Sequence, residues 1–303
     1  DGPAIRSVRE LVRAYDPDVV HGAVFEGVVM ATLASLGRRA RVVVEEIDYP
    51  ITRSRRAQLL FSVLARSADR CVAVSPAVRE YLVEEGGVPD RKITLIPNGV
   101  ERPVLPDAEG VAALRAEVGI PEDAFVVGSL GRLVDEHKRF SDLLRATAAL
   151  RDELPSLHLL IAGEGPDREA LEALADALGI AQRVSFAGYR ADVGAMYALM
   201  DVFALVSNRE SFGLVLAEAM YVGLPVVCTG IGGMRDVVLD GETGLYVGLG
   251  DVDAIARALA RLAREPALRE ALGAKGRERA ERLFSAERYS ADVAALYEEL
   301  LAR

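Results

Sequence analysis

Two carboxylates, Glu210 and Glu218, stand eight positions apart in the stretch Glu-Ser-Phe-Gly-Leu-Val-Leu-Ala-Glu. The apolar run at residues 201–206 predicts a buried parallel strand, and Gly213 to Val222 predict a helix. Glu210 is therefore expected just past the carboxyl end of a strand, where ligands bind in open α/β sheets and helix-terminal N–H groups favour anions. Glu218 would lie two turns along the helix, about 7–8 Å deeper at about 1.5 Å per residue. One ligand could then touch both carboxylates.

Length and composition bound the possible functions. The 303 residues predict about two domains. A net charge of −10 argues against nucleic acid as a partner, because phosphate binding needs a concentrated basic face. No apolar run approaches the roughly 20 residues that span a bilayer, and no signal peptide is expected, so we expect a cytoplasmic protein. Cys71 and Cys228 are expected to be buried free thiols, and neither they nor the scattered histidines predict a metal site.

Strand-like and helix-like segments alternate along the chain, which predicts an α/β fold with parallel sheets and helices on both faces. The predicted strands are residues 18–21, 41–45, 71–75, 93–96, 125–130, 157–162, 184–187, 202–206 and 225–229. The proline-rich residues 102–106 are expected to connect two domains. We therefore predict an amino-terminal domain at 1–105, a second domain at 106–285, and a carboxyl-terminal helix at 286–303 that packs back on the first domain. The chain opens with a helix-like segment, Ile5 to Ala14, so the first domain is expected to lack its first strand or strands.

Basic residues follow the first strand of the second domain. Gly131 permits a close backbone approach to a phosphate, and Arg132 and Lys138 could neutralise a diphosphate. Hydrogen bonds to charged groups contribute roughly 1.5–3 kcal/mol each. Ser141 is a predicted helix cap, and Arg139 stands beside Lys138. The alternative interpretation is a solvated basic turn.

Ligand-type residues also follow the later strands. Glu164 stands between two glycines after the second strand of this domain, and Tyr189 and Arg190 follow the third. Gly-rich loops occur at residues 230–236 and 240–244. We expect all these loops at one edge of the sheet, although each alone could be an ordinary turn, and Tyr189 could be a packing residue.

Taken in order, these motifs resemble the retaining glycosyltransferases of the GT-B fold, the large group with a Glu-x7-Glu string. The likeness is strongest between residues 126 and 244, in the runs GSLGRL, HKR, IAGEGP, FAGY, ESFGLVLAEAM, GLPVV and DGETG. The resemblance implies two Rossmann-like doubly wound domains that face a cleft, the first of them incomplete. It also implies an enzyme that moves a sugar from a nucleoside-diphosphate sugar, with UDP favoured over GDP or ADP. The acceptor would be a glycan, a lipid or a small molecule, and no metal or other cofactor is required.

The resemblance assigns roles to individual residues. Arg132 and Lys138 would hold the donor diphosphate and stabilise the leaving group, with Arg139 sharing the role because the spacing is one residue longer than usual. Glu218 would bind the ribose hydroxyls with both oxygens, and Glu210 the hydroxyls of the transferred sugar. The other implied donor-binding residues are Gly131, Glu164, Tyr189, Arg190, Ser211, Phe212, Gly213 and Leu214, of which Tyr189 and Arg190 would flank the base.

The amino-terminal half departs from the family at one strand. The strand motif commonly carries two histidines separated by one residue, whereas this chain has His21 and then Ala23. Two interpretations of His21 stay open. One is a catalytic or acceptor-site residue, and the other is a structural histidine bonded to backbone.

Three other functions remain as alternatives. A glycosidase would place Glu210 and Glu218 on either side of one glycosidic bond, roughly 5–10 Å apart. A nucleotide-sugar epimerase would convert the donor with no acceptor. A truncated homologue or subunit would bind the nucleotide sugar without transferring it alone, either because it lacks the loop for transfer or because it needs a partner chain that completes the first domain.

A basic, apolar segment lies between Arg53 and Arg70, where five arginines and one aspartate accompany four large apolar residues, Leu59, Leu60, Phe61 and Leu64. We expect a solvated helix whose apolar stripe packs into the core. The alternative is peripheral contact with an anionic membrane, at the inner face of the cell membrane.

Overall fold

A computed structural model describes residues 2–47 and 54–302 of the chain. By its internal contacts the chain divides into two compact units. Unit 1 comprises Asp1–Gly99, Glu210–Phe212 and Ala286–Arg303, and unit 2 comprises Val100–Arg209 and Gly213–Ser285. Unit 1 is therefore assembled from three separate segments of the sequence.

The first segment of unit 1 alternates helices with strands, as predicted. In chain order its elements are α1 (Gly2–Tyr15), β1 (Val19–Ala23), α2 (Val24–Ala34), β2 (Arg41–Glu46), α3 (Arg55–Ser67), β3 (Arg70–Ala73), α4 (Pro76–Glu84) and β4 (Ile93–Leu95), with a 3-10 turn at Asp90–Lys92. The four strands form one parallel sheet in the order β1-β2-β3-β4. Cys71 is buried and free, and burial raises the pKa of its thiol to about 12.

Unit 2 contains the larger sheet. Its elements are α5 (Ala108–Glu117), β5 (Phe125–Leu130), α6 (Asp135–Lys138), α7 (Phe140–Ala149), β6 (Leu157–Ala162), α8 (Arg168–Ala177), β7 (Val184–Gly188), α9 (Val193–Ala198), β8 (Val202–Leu205), α10 (Leu214–Tyr221), β9 (Val226–Thr229), α11 (Met234–Val237), β10 (Gly244–Val247), α12 (Val252–Arg264) and α13 (Pro266–Leu283), with a 3-10 turn at Ala181–Arg183. The six strands pair in parallel in the order β10-β9-β8-β5-β6-β7. Buried aliphatic side chains from the strands, α7 and α12 form the core. Cys228 is buried here as a free thiol.

The last helix, α14 (Ala286–Leu301), belongs to unit 1. Leu296 and Leu300 are buried, and they form one apolar cluster with Val43, Val72 and Ile96 of the small sheet. Burial of these aliphatic side chains is the main force that holds the helix there, at roughly 25 cal/mol for each Å² of apolar surface removed from water.

The structure corrects two predictions in unit 2. Residues 240–244 do not share an edge with the ligand loops, because they precede β10, whose amino end they join. Ser141 is not a helix cap, since α7 already begins at Phe140. Arg139 adopts a left-handed conformation (φ 53°) that links α6 to α7. The Ser141 N–H therefore lies in the first turn of α7, where it donates to Asp135 Oδ1 at 2.8 Å.

The prediction for α3 is half right. Phe61 and Leu64 are buried in unit 1, but Leu59 and Leu60 are 65% and 43% exposed, because Leu59 lies opposite Phe61 on the helix and Leu60 lies at the margin of the buried side. The helix starts where Ser54 accepts a hydrogen bond from the Ala57 N–H. Within residues 2–47 and 54–302, no helix has the length and apolar character that a membrane crossing needs.

Candidate functional site

The carboxyl edge of the unit 2 sheet gathers most of the predicted ligand loops. Since β8, β5, β6 and β7 are parallel and follow one another across the sheet, the loops after them are neighbours. The prediction that these four loops share an edge is therefore confirmed. Such an edge is where open α/β sheets bind ligands.

The loops after β5 and β6 pack backbone against backbone. The Leu133 N–H donates to Glu164 O at 2.9 Å, and the Asp167 N–H donates to Leu133 O at 3.2 Å. A Cβ atom on Gly163, whose φ is +143°, would stand 1.9 Å from Gly131 O. Only glycine fits at this position, so the glycines of the motif hold the two loops together.

The predicted diphosphate contacts lie on the first of these loops. Lys138 is the last residue of α6, and its side chain runs beside Gly131, whose Cβ, if present, would be 3.4 Å from Lys138 Cε. The Arg132 side chain is exposed to solvent. The fold thus brings a lysine and an arginine to one glycine loop, the combination that suits a diphosphate.

Arg139 is paired with a carboxylate in the first turn of α7. Its Nε donates to Asp142 Oδ2 at 2.6 Å, and the carboxylate of Asp142 is buried. The pair stabilises the first turn of α7. A share in phosphate binding by Arg139 stays a prediction, and its observed contact is structural.

A further contact ties the loop after β8 to α6. The Asn208 N–H donates to His137 O at 2.9 Å, and the Arg209 guanidinium contacts His137 Nε2. This contact could not be predicted from local sequence, because Arg209 and His137 are 72 positions apart. It fixes the segment that leads into Glu210 against the loop of Lys138.

Glu164 is engaged within its own loop. Arg168 donates to Glu164 Oε1 at 2.9 Å and to Glu172 at 2.9 Å. The carboxylate lies beside Gly188, whose Cβ would stand 3.0 Å from Glu164 Oε1. Because both partners are partly exposed, the pair positions the side chain more than it stabilises the fold.

A cleft of about 640 Å³ opens next to Glu218. Its walls are Glu101–Pro106, the segment that precedes α5, and Ala191–Ala195 at the start of α9. The two walls meet where a Cβ on Gly194 would be only 2.1 Å from Val104 O. A cleft of this size accommodates a small-molecule ligand, and Glu218 is its acidic lining residue on α10.

Glu218 has a partner that the sequence analysis missed. The hydroxyl of Tyr197 on α9 lies 2.7 Å from Glu218 Oε2 and 3.2 Å from Val215 O. Burial and the neighbouring carboxylate raise the pKa of Tyr197 well above its ordinary value. The phenol therefore stays protonated and donates a hydrogen bond to Glu218.

The residues predicted to flank the base differ in their surroundings. Arg190 donates to Glu117 at 2.7 Å and to Asp192 at 2.9 and 2.8 Å, and these acids raise the pKa of its guanidinium. Tyr189 is 76% exposed. The Arg190 guanidinium is thus fixed by hydrogen bonds to two carboxylates, whereas the Tyr189 ring is largely exposed to solvent.

The remaining predicted residues occupy the loop between β8 and α10. Glu210, Ser211 and Phe212 group with unit 1, and Ser211 and Phe212 are buried. Gly213 precedes α10 as its amino-terminal flanking residue, and Leu214 is the first residue of the helix. The predicted strand–loop–helix order around Glu210 and Glu218 is confirmed.

His21 lies in unit 1 within a cluster of polar side chains. Its Nδ1 is 2.7 Å from the Tyr297 hydroxyl, and its Nε2 is 3.5 Å from Glu45 Oε2. Tyr289 donates to both oxygens of Glu45, at 3.2 and 3.1 Å. Burial lowers the pKa of His21 and raises that of Glu45, which favours the neutral form of each. The interpretation of His21 as bonded to backbone is wrong, since its contacts are side chains, and a catalytic role stays a prediction.

Metal-ligating side chains do not cluster in the part of the chain that the structure describes. There, no three or more His, Cys, Asp or Glu residues are placed to hold one metal ion.

Comparisons with protein families cover both halves of the chain. The family model described as "Glycosyl transferases group 1" matches residues 111–279, and the one described as "Glycosyl transferase 4-like domain" matches residues 1–99.

Similar proteins include three bacterial glycosyltransferases. The lipopolysaccharide core biosynthesis glycosyltransferase LpsE of Rhizobium meliloti is 37% identical over 73% of this chain and 62% of its own length. The D-inositol 3-phosphate glycosyltransferase of Kineococcus radiotolerans is 36% identical over 72% of this chain and 54% of its own. The GDP-mannose-dependent alpha-(1-6)-phosphatidylinositol monomannoside mannosyltransferase of Mycolicibacterium smegmatis is 34% identical over 82% of this chain and 68% of its own. The chain spans less than two thirds of the length of the first two of these proteins.

Solved structures show the same architecture. HepE of Anabaena, in complex with UDP and glucose, superposes with a TM-score of 0.89 at 24% identity, over 98% of this chain and 81% of HepE. Sucrose-phosphate synthase of Thermosynechococcus elongatus gives a TM-score of 0.85 at 26% identity, over 98% of this chain and 77% of its own. The fold is therefore GT-B, with two Rossmann-like parallel sheets, as predicted.

Proposed function

Because this chain belongs to the group 1 glycosyltransferases, we propose that it moves a sugar from a nucleoside-diphosphate sugar to an acceptor hydroxyl, with retention at the anomeric carbon. The observation that carries the proposal is the cleft at Glu218, whose carboxylate is held by Tyr197. The acceptor is a glycan, a lipid or a small molecule.

The donor diphosphate binds at the loop after β5. Arg132 supplies a planar guanidinium and Lys138 a mobile ammonium, and both are carried by a loop that glycine packing holds in place. Charge-assisted hydrogen bonds from two such cations contribute roughly 1.5–3 kcal/mol each, which together is enough for micromolar binding with the remaining contacts. These cations take the part that a metal ion plays elsewhere, so no metal is required.

The nucleoside half of the donor occupies the cleft beside Glu218. The carboxylate accepts hydrogen bonds from the ribose, and Arg190, fixed by Glu117 and Asp192, lies under the base with Tyr189. Glu164, paired with Arg168, supports this side of the site.

The transferred sugar lies between Glu210 and the backbone N–H groups of residues 212–214. Glu210 accepts from the sugar hydroxyls. The acceptor hydroxyl attacks on the face that the phosphate leaves, its proton passes to the departing phosphate oxygen, and the glycosidic bond to that oxygen breaks. Arg132 and Lys138 stabilise the negative charge that develops on the leaving diphosphate, the contribution that dominates in such sites.

UDP is the nucleotide that the comparisons favour. HepE binds UDP and glucose in its solved structure, whereas the mycobacterial relative is described as GDP-mannose-dependent. GDP is therefore the second candidate, and ADP the third.

Calorimetric titration with UDP, GDP and ADP in separate runs tests the donor site. Saturable binding of UDP at micromolar concentration, with weaker binding of the other two, is expected. Tight binding of GDP alone would replace UDP in the proposal. Absence of binding to all three by the folded protein would remove the nucleotide-sugar function.

Turnover separates the enzyme from a binding module that needs a partner chain. Release of UDP from a UDP-sugar in the presence of a panel of acceptor alcohols is expected from this chain alone, and the anomeric configuration of the product is read by NMR. Binding without turnover, rescued by a longer protein or a second chain, would support the binding-module alternative. Conversion of the donor without acceptor would indicate an epimerase.

Peripheral contact with the inner face of the cell membrane is a further part of the proposal, and α3 supports it. The outer side of the helix carries exposed Leu59 and Leu60 next to Arg55, Arg56 and Arg66, and no acidic residue lies on the helix. Arginine stems can lie along lipid while their head groups meet phosphate. Flotation with vesicles that contain phosphatidylglycerol, but not with pure phosphatidylcholine, is expected. Replacement of Leu59 and Leu60 by Ser should abolish it.

A further inference from the structure

Tyr197 is a buried residue that joins three elements around Glu218. It lies on α9 with only 1% of its surface exposed, and its ring packs edge-on against Phe203 of β8, with 5.7 Å between ring centroids. Its hydroxyl reaches α10, where it meets Glu218 Oε2. A side chain fixed by a strand on one side and a helix on the other has little freedom to move, so its hydroxyl is a stationary hydrogen-bond donor.

The proton of this hydroxyl has two acceptors within reach. Glu218 Oε2 is 2.7 Å away and Val215 O is 3.2 Å away. A hydroxyl has one proton, and the shorter, charge-assisted bond to the carboxylate takes it. Val215 O lies in the first turn of α10, where a helix carbonyl can accept from its own helix. The bond to Glu218 therefore determines the orientation of the carboxylate.

We propose that Tyr197 is a positioning residue for ribose recognition: it holds Glu218 Oε2 and directs the other carboxylate oxygen, Oε1, to a ribose hydroxyl in the cleft. This inference rests on the proposed nucleotide-sugar function. It also changes the expectation that both oxygens serve the ribose equally, because one of them already receives a donor from the protein. A carboxylate held in this way binds ribose without first losing rotamer freedom.

Replacement of Tyr197 by Phe removes the hydroxyl and keeps the ring against Phe203, so it separates positioning from packing. The experiment measures dissociation constants of UDP, 2′-deoxy-UDP and 3′-deoxy-UDP for the wild type, Tyr197→Phe and Glu218→Ala. In the wild type, loss of the recognised hydroxyl should weaken binding about tenfold. The ratio of the dissociation constant of that deoxy ligand to the dissociation constant of UDP is therefore about ten in the wild type. In Glu218→Ala this ratio should fall to about one. In Tyr197→Phe it should fall to about two or three, because the carboxylate is present but not held.

Tyr81→Phe is the matched control. Tyr81 is equally buried, at 3% exposed, and its hydroxyl donates to Gln58 Oε1 at 2.6 Å in unit 1. This variant should keep the wild-type ratio. A purely structural role of Tyr197 would weaken all three ligands by the same factor, and an unchanged ratio would therefore overturn the positioning role alone. Failure of the wild type to bind UDP, or to distinguish it from both deoxy ligands, would overturn the ribose site and this inference with it.

Discussion

Unit 1 and unit 2 share a parallel α/β plan, but they use their polar side chains differently. In unit 2, Arg132, Lys138 and Glu164 follow strands at the carboxyl edge of the sheet, and Glu218 of α10 lines a cleft. In unit 1 His21 and Glu45 contact Tyr297 and Tyr289 of α14. Burial there lowers the pKa of His21 and raises the pKa of Glu45, which favours the neutral form of each. The polar side chains on the small sheet of unit 1 thus attach a helix, whereas those of unit 2 stand where open α/β sheets bind ligands.

The difference follows from how each unit is built. The residues of unit 2 between Val100 and Ser285 are interrupted only by Glu210–Phe212, so loops from consecutive strands meet at one edge. Unit 1 must hold a helix that joins it 187 positions after Gly99, from Ala286 onward. Apolar contacts at Leu296 and Leu300 attract α14 to the sheet but do little to fix its position along the sheet. The directional hydrogen bonds to His21 and Glu45 fix that position. If this comparison is right, variants in unit 2 change ligand affinity or loop geometry, and variants in the polar cluster of unit 1 change stability alone.

The largest effect is expected at the contact that holds the unit 2 loops together. Gly163→Ala places a methyl group 1.9 Å from Gly131 O, which the backbone must move to relieve. We expect a loss of about 3–4 kcal/mol in the free energy of unfolding, the sum of overpacking and backbone strain. Chemical denaturation measures it, with Gly119→Ala as control, because Gly119 has a positive φ (+73°) but no atom within 4 Å of its added Cβ. The control should lose only about 1 kcal/mol, and equal losses would show that the two loops are not packed as described.

The two carboxylates of the long motif should differ in what they recognise. Glu218→Ala removes the carboxylate that α10 contributes to the cleft and should weaken the affinity for free UDP about 30- to 100-fold, the equivalent of about 2–3 kcal/mol. Glu210→Ala should leave the affinity for UDP within about twofold and lower sugar transfer at least tenfold. Calorimetry with UDP and steady-state rates with a UDP-sugar give both numbers. Equal loss of UDP affinity in the two variants would contradict the division of roles.

Periodicity and turn residues were enough to predict most of the elements of this fold. Of the ten strands within residues 2–47 and 54–302, nine lie where apolar runs predicted them, within one or two residues. The tenth, β10, is the run Gly244–Val247, which begins with a glycine and is followed by another at Gly248, and glycines weaken a strand signal. Leu59 and Leu60 are predicted in the core and are exposed, because the spacing of apolar residues shows that a helix is amphipathic but not where its buried side ends.

The site was predicted from loop chemistry, and its contacts were not. Gly131, Lys138 and Glu164 follow strands in sequence, so their common edge could be inferred from the parallel plan alone. The bond from Tyr197 to Glu218 joins residues 21 positions apart on two helices, and the contact between His137 and Arg209 spans 72 positions. Both depend on how the helices pack on the sheet, which local sequence does not determine.

The pH dependence of stability in unit 2 should come largely from His158. It is buried on β6, and burial lowers its pKa to about 4. His158 Nε2 lies 2.8 Å from the Ser185 hydroxyl, and that hydroxyl donates its single proton to Val118 O at 2.6 Å. His158 Nε2 must therefore be the donor to Ser185. In the unfolded chain the pKa of His158 is about 6.5, so the unfolded state takes up the proton first as the pH falls. The stabilisation from neutral His158 is therefore complete above about pH 6.5 and is lost as the pH falls toward 4.

A two-point measurement tests this assignment. Between pH 7 and pH 5 the contribution of His158 should fall by about 2 kcal/mol, which follows from a pKa of about 4 in the folded and about 6.5 in the unfolded state. His158→Gln keeps an amide donor near the position of Nε2 and cannot titrate. Urea denaturation at both values should therefore show a smaller loss in the variant than in the wild type. The same loss in both would place the titrating group elsewhere.

The smallest effect, and the sharpest test of the comparison, is expected at the contact between unit 1's sheet and α14. Tyr297→Phe removes the hydroxyl that lies 2.7 Å from His21 Nδ1, and should cost about 1 kcal/mol of unfolding free energy. His21→Asn should cost a similar amount, and the double variant less than the sum, because the two side chains share one hydrogen bond. Both single variants should keep the UDP affinity and the transfer rate of the wild type. A transfer rate that falls at least tenfold in His21→Asn, with Tyr297→Phe unaffected, would instead show that His21 acts in catalysis and that unit 1 also commits a polar side chain to the reaction.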